Sequence, residues 1–177
     1  MPARVRPGTA ADAAACLEIY RPYVRDTVIT FETEVPTVEE MAARIVDSRV
    51  MHEWLVLEVD GEITGYAYAH QFNSRAAYLW SVETSVYLAQ DRLRSGGGRM
   101  LYAELLRRLS ERGFRRAFAG IAQPNGASNA LHQAFGFRLA GHYRRVGWKL
   151  GAWHDVQWWQ LDLLGPDDGD PPRPIAT

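Results

Sequence analysis

The chain has 177 residues, 47% of them hydrophobic, which is enough for one domain with a sizeable core. Its net charge of −1, from 20 basic and 21 acidic residues, gives no electrostatic basis for binding nucleic acid or an anionic membrane. The single cysteine, Cys16, excludes an internal disulfide and a metal site of several cysteines. Because neither a membrane span nor a signal-peptide core is visible, we expect a cytoplasmic protein with small partners.

Two helix starts are marked by paired side chains in the first forty residues. Thr9 is followed by Asp12, and Thr37 by Glu40, which is the spacing of a capping box. We therefore expect a helix after each pair. Pro22 is expected to limit the first helix, because proline lacks the N–H that helical hydrogen bonding needs.

The clearest hairpin signal follows the second helix. Residues 53–59 and 62–70 flank the pair Asp60-Gly61, which accepts the positive φ angles of a tight primed turn. Two antiparallel strands are predicted here. A further strand is expected at 78–88, where alternation places a carboxylate on one face and mainly aliphatic side chains on the other.

Three consecutive glycines at 96–98 precede an amphipathic helix that ends at Gly113. Small residues at a helix start leave backbone N–H groups uncovered at the positive end of the helix dipole, which favours an anion such as phosphate. The Walker and dinucleotide fingerprints do not fit, because Arg99-Met100 and Leu101 follow the glycines. A flexible loop with a helix cap is the alternative interpretation. Arg99 favours the phosphate site, since a cation opposes the dipole unless an anion binds there.

The second half of the chain predicts a βαβ unit and a closing pair of strands. A strand at 115–121 returns parallel to the one before the glycines, and a short helix follows at 125–135. Strands at 137–148 and 153–163 close the fold. Residues 165–177 are too rich in proline, glycine and aspartate to pack, and we expect a flexible tail.

The sequence resembles the acetyl-CoA core of the GNAT superfamily of acetyltransferases in three motifs, VETSVYL, RSGGGR and QPNGASNALHQAFGF. Over nearly the whole chain it is similar to the phosphinothricin N-acetyltransferase subgroup, through TFETE, EVDGEITGYAYA, RAAYLWSVETSVYL and GWKLGAWHDV. The resemblance implies one α/β (α+β) domain over residues 1–164. Its sheet would be mixed and mostly antiparallel, splayed between its central parallel strands and flanked by helices.

The resemblance also implies acetyl-CoA as cosubstrate, without a metal. Strand backbone would face the pantetheine arm and the thioester, and the glycine loop would hold the pyrophosphate. The residues expected to bind acetyl-CoA are Val86, Tyr87, Leu88, Arg94, Ser95, Gly96, Gly97, Gly98, Arg99 and Asn125. As bare sequence, the strand residues also fit a core strand, and Asn125 also fits a helix N-cap. Leu93 departs from the family, which usually has Gln or Arg at this position.

Glu83 and His132 are the expected catalytic residues. From the pattern alone, Glu83 is a solvent-facing carboxylate and His132 a packed or surface histidine. The resemblance implies that Glu83 is the general base that accepts a proton from the amine. For His132 three roles stay open, which are proton donor to the leaving thiolate, second base and substrate orienter.

Phe31 and Arg75 are expected to contact the acceptor substrate. The resemblance implies that Phe31, an isolated aromatic in a polar loop, closes over the substrate, either in its own subunit or in a neighbouring one. Arg75 matches an arginine that faces the substrate carboxylate, a task suited to a bidentate guanidinium. Asn73 stands where family members often carry a second basic residue. The tryptophans of the closing strands favour core and interface packing, and a homodimer is the expected assembly.

The predicted function is acetyl-CoA-dependent N-acetylation of a small amino-acid-like substrate, of the phosphinothricin or methionine sulfoximine type, by direct attack. One alternative is acetylation of peptide or protein N-termini. The other is a regulatory module that binds coenzyme A without turnover. Leu93 favours the binding module, whereas Glu83 and His132 favour an enzyme.

Overall fold

The computed structural model describes residues 3–164 and Gly169. They contain one seven-stranded sheet in the order β1-β2-β3-β4-β5-β7-β6. The flexible tail predicted at 165–177 lies, apart from Gly169, outside the described residues. The strands are β1 (Arg4–Pro7), β2 (Trp54–Val59), β3 (Glu62–Gln71), β4 (Ser81–Leu88), β5 (Arg116–Ala122), β6 (Arg138–Lys149) and β7 (Ala152–Asp162).

Helices cover both faces of this sheet. Two of them precede the hairpin, one follows the glycines and one follows β5. They are α1 (Ala13–Asp26), α2 (Val38–Met51), α3 (Gly97–Glu111) and α4 (Gly126–Ala134). Within the described part of the chain, no helix has both the length and the apolar composition of a membrane span.

Strands β4 and β5 form the one parallel pair of the described sheet. Their pairing covers three positions and ends at Glu83 opposite Phe118. Beyond this point β4 stays paired with β3 as far as Leu88, while β5 stays paired with β7. The sheet is therefore splayed between its central parallel strands, and the fold class expected from the sequence is confirmed.

The local signals of the sequence correspond to observed contacts. The Thr37 N–H donates to Glu40 Oε2 at 2.7 Å, and the Glu40 N–H donates to Thr37 Oγ1 at 3.1 Å, so the capping box of α2 is complete. Asp60 and Gly61 have φ angles of +52° and +86°, as a tight primed turn between β2 and β3 requires.

Two expected boundaries were wrong. Helix α1 continues four residues past Pro22 to Asp26, because Tyr23 and Val24 beyond the proline are buried in the core and hold the last turn in place. Strand β4 begins at Ser81, since the residues up to Tyr78 form a short 3₁₀ turn instead.

Strand β4 lies between two hydrophobic cores. On one face Leu101, Leu105 and Leu109 of α3 are fully buried against the sheet, together with Val82 of β4. On the other face α1 and α2 pack around Tyr87. Because successive side chains of a strand point to opposite faces, β4 contributes to both sides of the sheet.

Candidate active site

The first cavity of the site lies where β4 and β5 separate. It has a volume of about 50 Å³, and we call it the strand gap. Helix α4 forms part of its wall. The lining residues include Thr84, Val86, Tyr87, Gly120, Asn125 and His132.

His132 of α4 is 3% exposed, and both ring nitrogens have partners. Its Nδ1 lies 2.7 Å from the Ser128 carbonyl oxygen, which can only accept, so Nδ1 carries the proton. Burial lowers the pKa of His132, which keeps the ring neutral near pH 7. Its Nε2 therefore accepts a hydrogen bond from the Tyr102 hydroxyl at 2.8 Å.

A chain of hydroxyl groups continues from His132 to the point where the strands separate. Tyr102 Oη lies 2.6 Å from Thr84 Oγ1, which in turn lies 3.1 Å from the Phe118 carbonyl oxygen. Because Tyr102 gives its proton to neutral His132, the single proton of the Thr84 hydroxyl is shared between two acceptors, the Tyr102 oxygen and the Phe118 carbonyl oxygen. The sequence analysis missed Tyr102, although a tyrosine on the buried apolar face of α3 needs a partner for its hydroxyl.

The second cavity lies on the opposite face of β4 and has a volume of about 260 Å³. We call it the Glu83 cavity. The Glu83 side chain is 28% exposed, and its Oε2 lies 4.0 Å from His70 Nε2 on the neighbouring strand. Burial raises the pKa of Glu83, and the charge of a protonated His70 opposes this shift. A carboxylate with a raised pKa is a better proton acceptor than an exposed one.

The two cavities adjoin each other. His132 bonds to Tyr102, which bonds to Thr84, and the side chains of Thr84 and Glu83 point to opposite faces of β4, so the two expected catalytic residues stand on opposite sides of this strand. Both cavities share part of their walls, so a group held in the strand gap lies next to the cavity that contains the carboxylate. The shared lining residues are Ile29, Ser85, Tyr87, Gly120 and Ala122.

The loop between α1 and α2 places Phe31 at the Glu83 cavity. Lys149, which is buried, donates to the Thr30 carbonyl oxygen at 2.7 Å. The hydroxyls of Thr30 and Tyr20 form a second bond at 2.7 Å. The Phe31 ring lies so close to Gly147 that a Cβ there would overlap it. The loop is thus fixed to the β6–β7 hairpin by contacts that the sequence analysis did not predict.

Arg75 stands apart from both cavities. It is exposed in the loop between β3 and β4, and it lines neither the strand gap nor the Glu83 cavity. Its backbone N–H donates to Asn73 Oδ1 at 3.1 Å. Within a single copy of the chain, therefore, Arg75 and Phe31 are not brought together.

The glycine loop has the geometry of an open helix start. Gly96 has a φ of +86° and precedes the first residue of α3. The Met100 N–H bonds to the Gly96 carbonyl oxygen at 3.1 Å, so the N–H groups before it extend beyond the helical ladder. Gly97 is buried, and a Cβ there would come within 2.6 Å of Leu57 Cδ2. The absence of a side chain lets the helix start pack closely against the sheet.

Two loop residues, Arg94 and Ser95, and Arg99 in the first turn of α3 lie close in sequence to these N–H groups. Arg94 adopts a φ of +63°, and the Ser95 hydroxyl donates to the Arg92 carbonyl oxygen at 2.7 Å. Arg99 is exposed, with its guanidinium 5.5 Å from the centre of the Phe135 ring. Cationic residues thus lie next to the N–H groups of the helix start, of which that of Gly97 donates to Ser95 Oγ at 3.4 Å, and this combination suits a diphosphate.

The remaining expected cofactor residues lie along the strand gap. Val86 and Tyr87 line it directly, whereas the Leu88 carbonyl oxygen already accepts a bond from the Tyr23 hydroxyl at 2.7 Å. Asn125 lines the gap and also caps α4, since its side-chain oxygen accepts from the Ser128 N–H at 3.1 Å. Both sequence interpretations of Asn125 are thus compatible with its position.

A metal centre is not part of this arrangement. Across residues 3–164, no cluster of three or more His, Cys, Asp or Glu side chains is placed to hold a metal ion. What the site offers is a carboxylate with a raised pKa, a neutral buried imidazole and a glycine-rich helix start. These are groups for binding a phosphorylated ligand and for moving a proton.

The known proteins that this chain resembles are acetyltransferases. The chain is 40% identical to the phosphinothricin N-acetyltransferase of Streptomyces viridochromogenes, over 99% of this chain and 96% of the relative. It is 32% identical to an L-methionine sulfoximine/L-methionine sulfone acetyltransferase of Pseudomonas paraeruginosa, over 92% and 96% of the two chains. A crystal structure of a GNAT superfamily phosphinothricin acetyltransferase from Sinorhizobium meliloti, in complex with AcCoA, superposes with a TM-score of 0.88 at 37% identity, covering 92% of this chain and 89% of that one.

The family profile agrees with these relatives. The acetyltransferase (GNAT) domain matches residues 5–158, which include the glycine loop, both cavities and the sheet apart from the first residue of β1 and the last four of β7. The family and the enzyme class expected from the sequence are confirmed. This chain belongs to the GNAT family of acetyltransferases.

Proposed function

We propose that this chain transfers the acetyl group of acetyl-CoA to the amino group of a small amino-acid-like substrate of the phosphinothricin or methionine sulfoximine type. The observation that carries the proposal is the shared wall of the two cavities. An acetyl group bound in the strand gap would lie next to the Glu83 cavity, whose carboxylate has a raised pKa. The names of the relatives support the substrate class.

The chain's own groups fit acetyl-CoA as cosubstrate. The N–H groups before Met100, with Arg94 and Arg99, form the proposed pyrophosphate site. The ten residues expected from the sequence to bind acetyl-CoA keep this role as part of the proposal. Along β4 the edge that faces away from β3 has lost its β5 partner after Glu83, so its backbone groups are available to the pantetheine arm and to a developing oxyanion.

Glu83 acts in this proposal as the general base. Acetyl-CoA supplies an activated thioester, and a neutral amine forms the new C–N bond by direct attack while the C–S bond breaks. Glu83 takes the proton that the amine loses, directly or through a water molecule. His132 holds its Nδ1 proton on Ser128, so its Nε2 and the Tyr102 hydroxyl orient each other beside the gap. Of its three expected roles, this arrangement favours that of an orienting group.

The acceptor is proposed to bind in the Glu83 cavity beneath Phe31. The loop that carries Phe31 is held by Lys149 and Tyr20, so the cavity is closed on one side. Arg75 does not line the Glu83 cavity of its own chain. It can therefore face the substrate carboxylate only in the Glu83 cavity of a second subunit. This condition makes the contribution of Arg75 dependent on assembly.

A homodimer is the proposed assembly, and the β6–β7 hairpin is the proposed interface. Strand β6 is an edge of the sheet. Trp148 and Trp153 on this hairpin are 58% and 50% exposed and contact each other edge to face at 5.4 Å, whereas Trp159 is buried in the core. Exposed apolar side chains on an edge strand are typical of interfaces.

Sedimentation should show a dimer for the wild type and a shift to monomer for Trp148→Glu.

The cytoplasm stays the proposed location, as expected from the sequence.

The test of the function is release of free thiol on mixing the protein with acetyl-CoA and a panel of amines. We expect turnover with phosphinothricin or methionine sulfoximine. Turnover on peptides alone would favour the N-terminal acetyltransferase, and acetyl-CoA binding in a calorimeter without turnover on any amine would favour the binding module.

A further inference from the structure

His70 on β3 lies directly opposite Glu83 on β4. The two residues are partners in the antiparallel register of these strands, so their side chains stand on the same face of the sheet. Both line the Glu83 cavity, and His70 Nε2 lies 4.0 Å from Glu83 Oε2. The His70 side chain is 44% exposed and that of Glu83 is 28% exposed. The imidazole is thus the member of the pair with the better access to solvent.

The other ring nitrogen of His70 fixes the tautomer of the neutral imidazole. Nδ1 lies 3.1 Å from the carbonyl oxygen of Gln71, which can only accept, so Nδ1 carries the proton. Nε2 then presents a lone pair to Glu83, and the oxygens of an ionised carboxylate are acceptors as well. Two acceptors repel each other unless a proton lies between them. The arrangement is therefore suited to holding one proton between Glu83 and His70.

The distance of 4.0 Å between the two atoms is longer than a hydrogen bond. It can close, because the last torsion of a glutamate side chain has a broad energy minimum and the carboxylate turns at little cost. Catalytic hydrogen bonds are often long in the absence of substrate and shorten when it binds. A proton that Glu83 has taken up can therefore pass to His70 Nε2.

The other ionisable groups near the pair do not compete for this proton. Those that share a cavity with His70 or act on it electrostatically are Tyr20 of α1, Glu32 of the α1–α2 loop, Arg44 and Asp47 of α2, His52 after α2, Tyr68 of β3 and Tyr87 of β4. Burial raises the pKa of all three tyrosines and lowers the pKa of His52 to about 4, so these groups are neutral at pH 7.

The charged members of this set are either paired or outside the Glu83 cavity. Both oxygens of Glu32 accept bonds from Arg44, at 2.7 and 3.1 Å, so the two charges compensate each other. Asp47 is exposed on α2 and does not line the Glu83 cavity. Among the described residues of the cavity wall, His70 is therefore the group suited to accept a proton from Glu83.

We propose that His70 is a proton-relay residue, which takes from Glu83 the proton that the acceptor amine loses and releases it to solvent. The inference rests on the proposed function, in which Glu83 is the general base. As the new C–N bond forms and the C–S bond breaks, the N–H proton of the amine moves to a Glu83 oxygen, and coenzyme A leaves as the thiolate. The carboxyl O–H then gives its proton to His70 Nε2, which restores the carboxylate. The imidazolium releases this proton to water, while the Nδ1 proton stays bonded to the Gln71 carbonyl oxygen.

The relay makes the activity depend on two groups instead of one. His70 can accept a proton only when Nε2 is free, so in the active form neither Glu83 nor Nε2 carries a proton. In the wild type, kcat should therefore rise with pH as the pair loses its last proton. Two bases that share one proton hold it to higher pH than either base alone. Without His70 the rise should follow Glu83 by itself, and its midpoint should lie at lower pH.

His70→Gln tests the relay, because glutamine is a polar side chain of similar size that binds no proton. With acetyl-CoA and phosphinothricin or methionine sulfoximine, we expect the plateau of kcat at high pH to fall about five- to tenfold. The midpoint of the rise should move about 0.5 pH unit lower. The amine of the acceptor titrates in the same way in wild type and variant, so the difference reports the pair. KM for acetyl-CoA should stay within about twofold.

His70→Ala is the second variant. It should show the same shift of the midpoint, and added imidazole should restore part of its lost kcat, because free imidazole can take the proton in place of the side chain. Denaturant unfolding identifies a variant that fails to fold, and the other variant then decides. A loss of kcat in folded His70→Ala that imidazole does not reduce would overturn the inference.

His142→Gln is the matched control. His142 also lies beside a carboxylate, with its Nε2 2.8 Å from Asp155 Oδ2 and its side chain 40% exposed, but it lines neither the strand gap nor the Glu83 cavity. Its kcat and its pH midpoint should equal those of the wild type. A profile of His70→Gln that is unchanged, or a midpoint that moves to higher pH, would overturn the inference while the proposed function stands. Absence of turnover by the wild type on every amine would overturn both.

Discussion

The two faces of β4 are built in different ways. On the face of α3 and α4, the proposed acetyl-CoA site consists largely of backbone groups and of residues close in sequence, from Arg94 to Arg99. On the face of α1 and α2, the Glu83 cavity is lined by side chains from the α1–α2 loop and from strands β3, β4, β5 and β7. The cofactor side is therefore a local structure, whereas the acceptor side depends on the tertiary fold.

This difference has a consequence for specificity. Backbone donors at a helix start do not depend on side-chain identity, so the same cofactor site tolerates sequence change. A side chain that lines the Glu83 cavity, such as that of His70, can change without removing a backbone hydrogen bond of the sheet. Members of one family can thus share acetyl-CoA while their acceptors differ.

The largest effect is expected from Glu83→Gln, which keeps the shape of the side chain but removes the base. We expect kcat to fall about 10²- to 10⁴-fold, while KM for acetyl-CoA stays within about twofold. Steady-state kinetics with both substrates measures this, with the exposed Glu111→Gln as control. An unchanged kcat at saturating substrates would show that Glu83 is not the base.

The dependence of kcat on pH in the wild type is a second test of Glu83 as the general base. A general base must be deprotonated to act, so kcat should rise with pH through the pKa of Glu83. Because burial raises this pKa, the midpoint of the rise should lie above the ordinary value of 4.5.

Arg99→Ala tests the cofactor side alone. Removing a guanidinium next to the helix start should raise KM for acetyl-CoA about tenfold and leave KM for the acceptor unchanged. Arg107→Ala is the control, because it removes the same charge two turns further along α3, on the solvent side. Equal effects of both variants would contradict a specific pyrophosphate contact.

Gly147→Ala tests the acceptor side alone. The added Cβ would overlap the Phe31 ring, so the loop must move away from the hairpin. We expect KM for the acceptor to rise about fivefold with KM for acetyl-CoA unchanged. Gly141→Ala, on the same strand with its nearest neighbour at 3.8 Å, should behave as wild type. A change in KM for acetyl-CoA in Gly147→Ala would show that the acceptor side and the cofactor side of β4 are not independent.

The smallest effect is expected from Tyr102→Phe. The change leaves His132 Nε2 and the Thr84 hydroxyl without their shared partner in a buried region, which should lower the free energy of unfolding by about 1–2 kcal/mol. We expect kcat to fall about threefold, because His132 loses its orientation. Tyr78→Phe, at an exposed tyrosine, is the control for denaturant unfolding and kinetics.

Some features of this protein follow from short stretches of its sequence. The capping box at Thr37, the turn at Asp60 and the helix start at Gly96 could be predicted, because each depends on residues within a few positions of one another. Glu83 and His132 were identified through motifs of similarly short length. Of these features, the helix start at Gly96 and His132 belong to the cofactor side.

The relative positions of these features follow only from the folded structure. It placed Glu83 and His132 on opposite sides of β4, and it joined Lys149 to Thr30 across 119 positions of the chain. Neither periodicity nor short motifs report such contacts, because burial and charge compensation between distant residues exist only once the chain has folded.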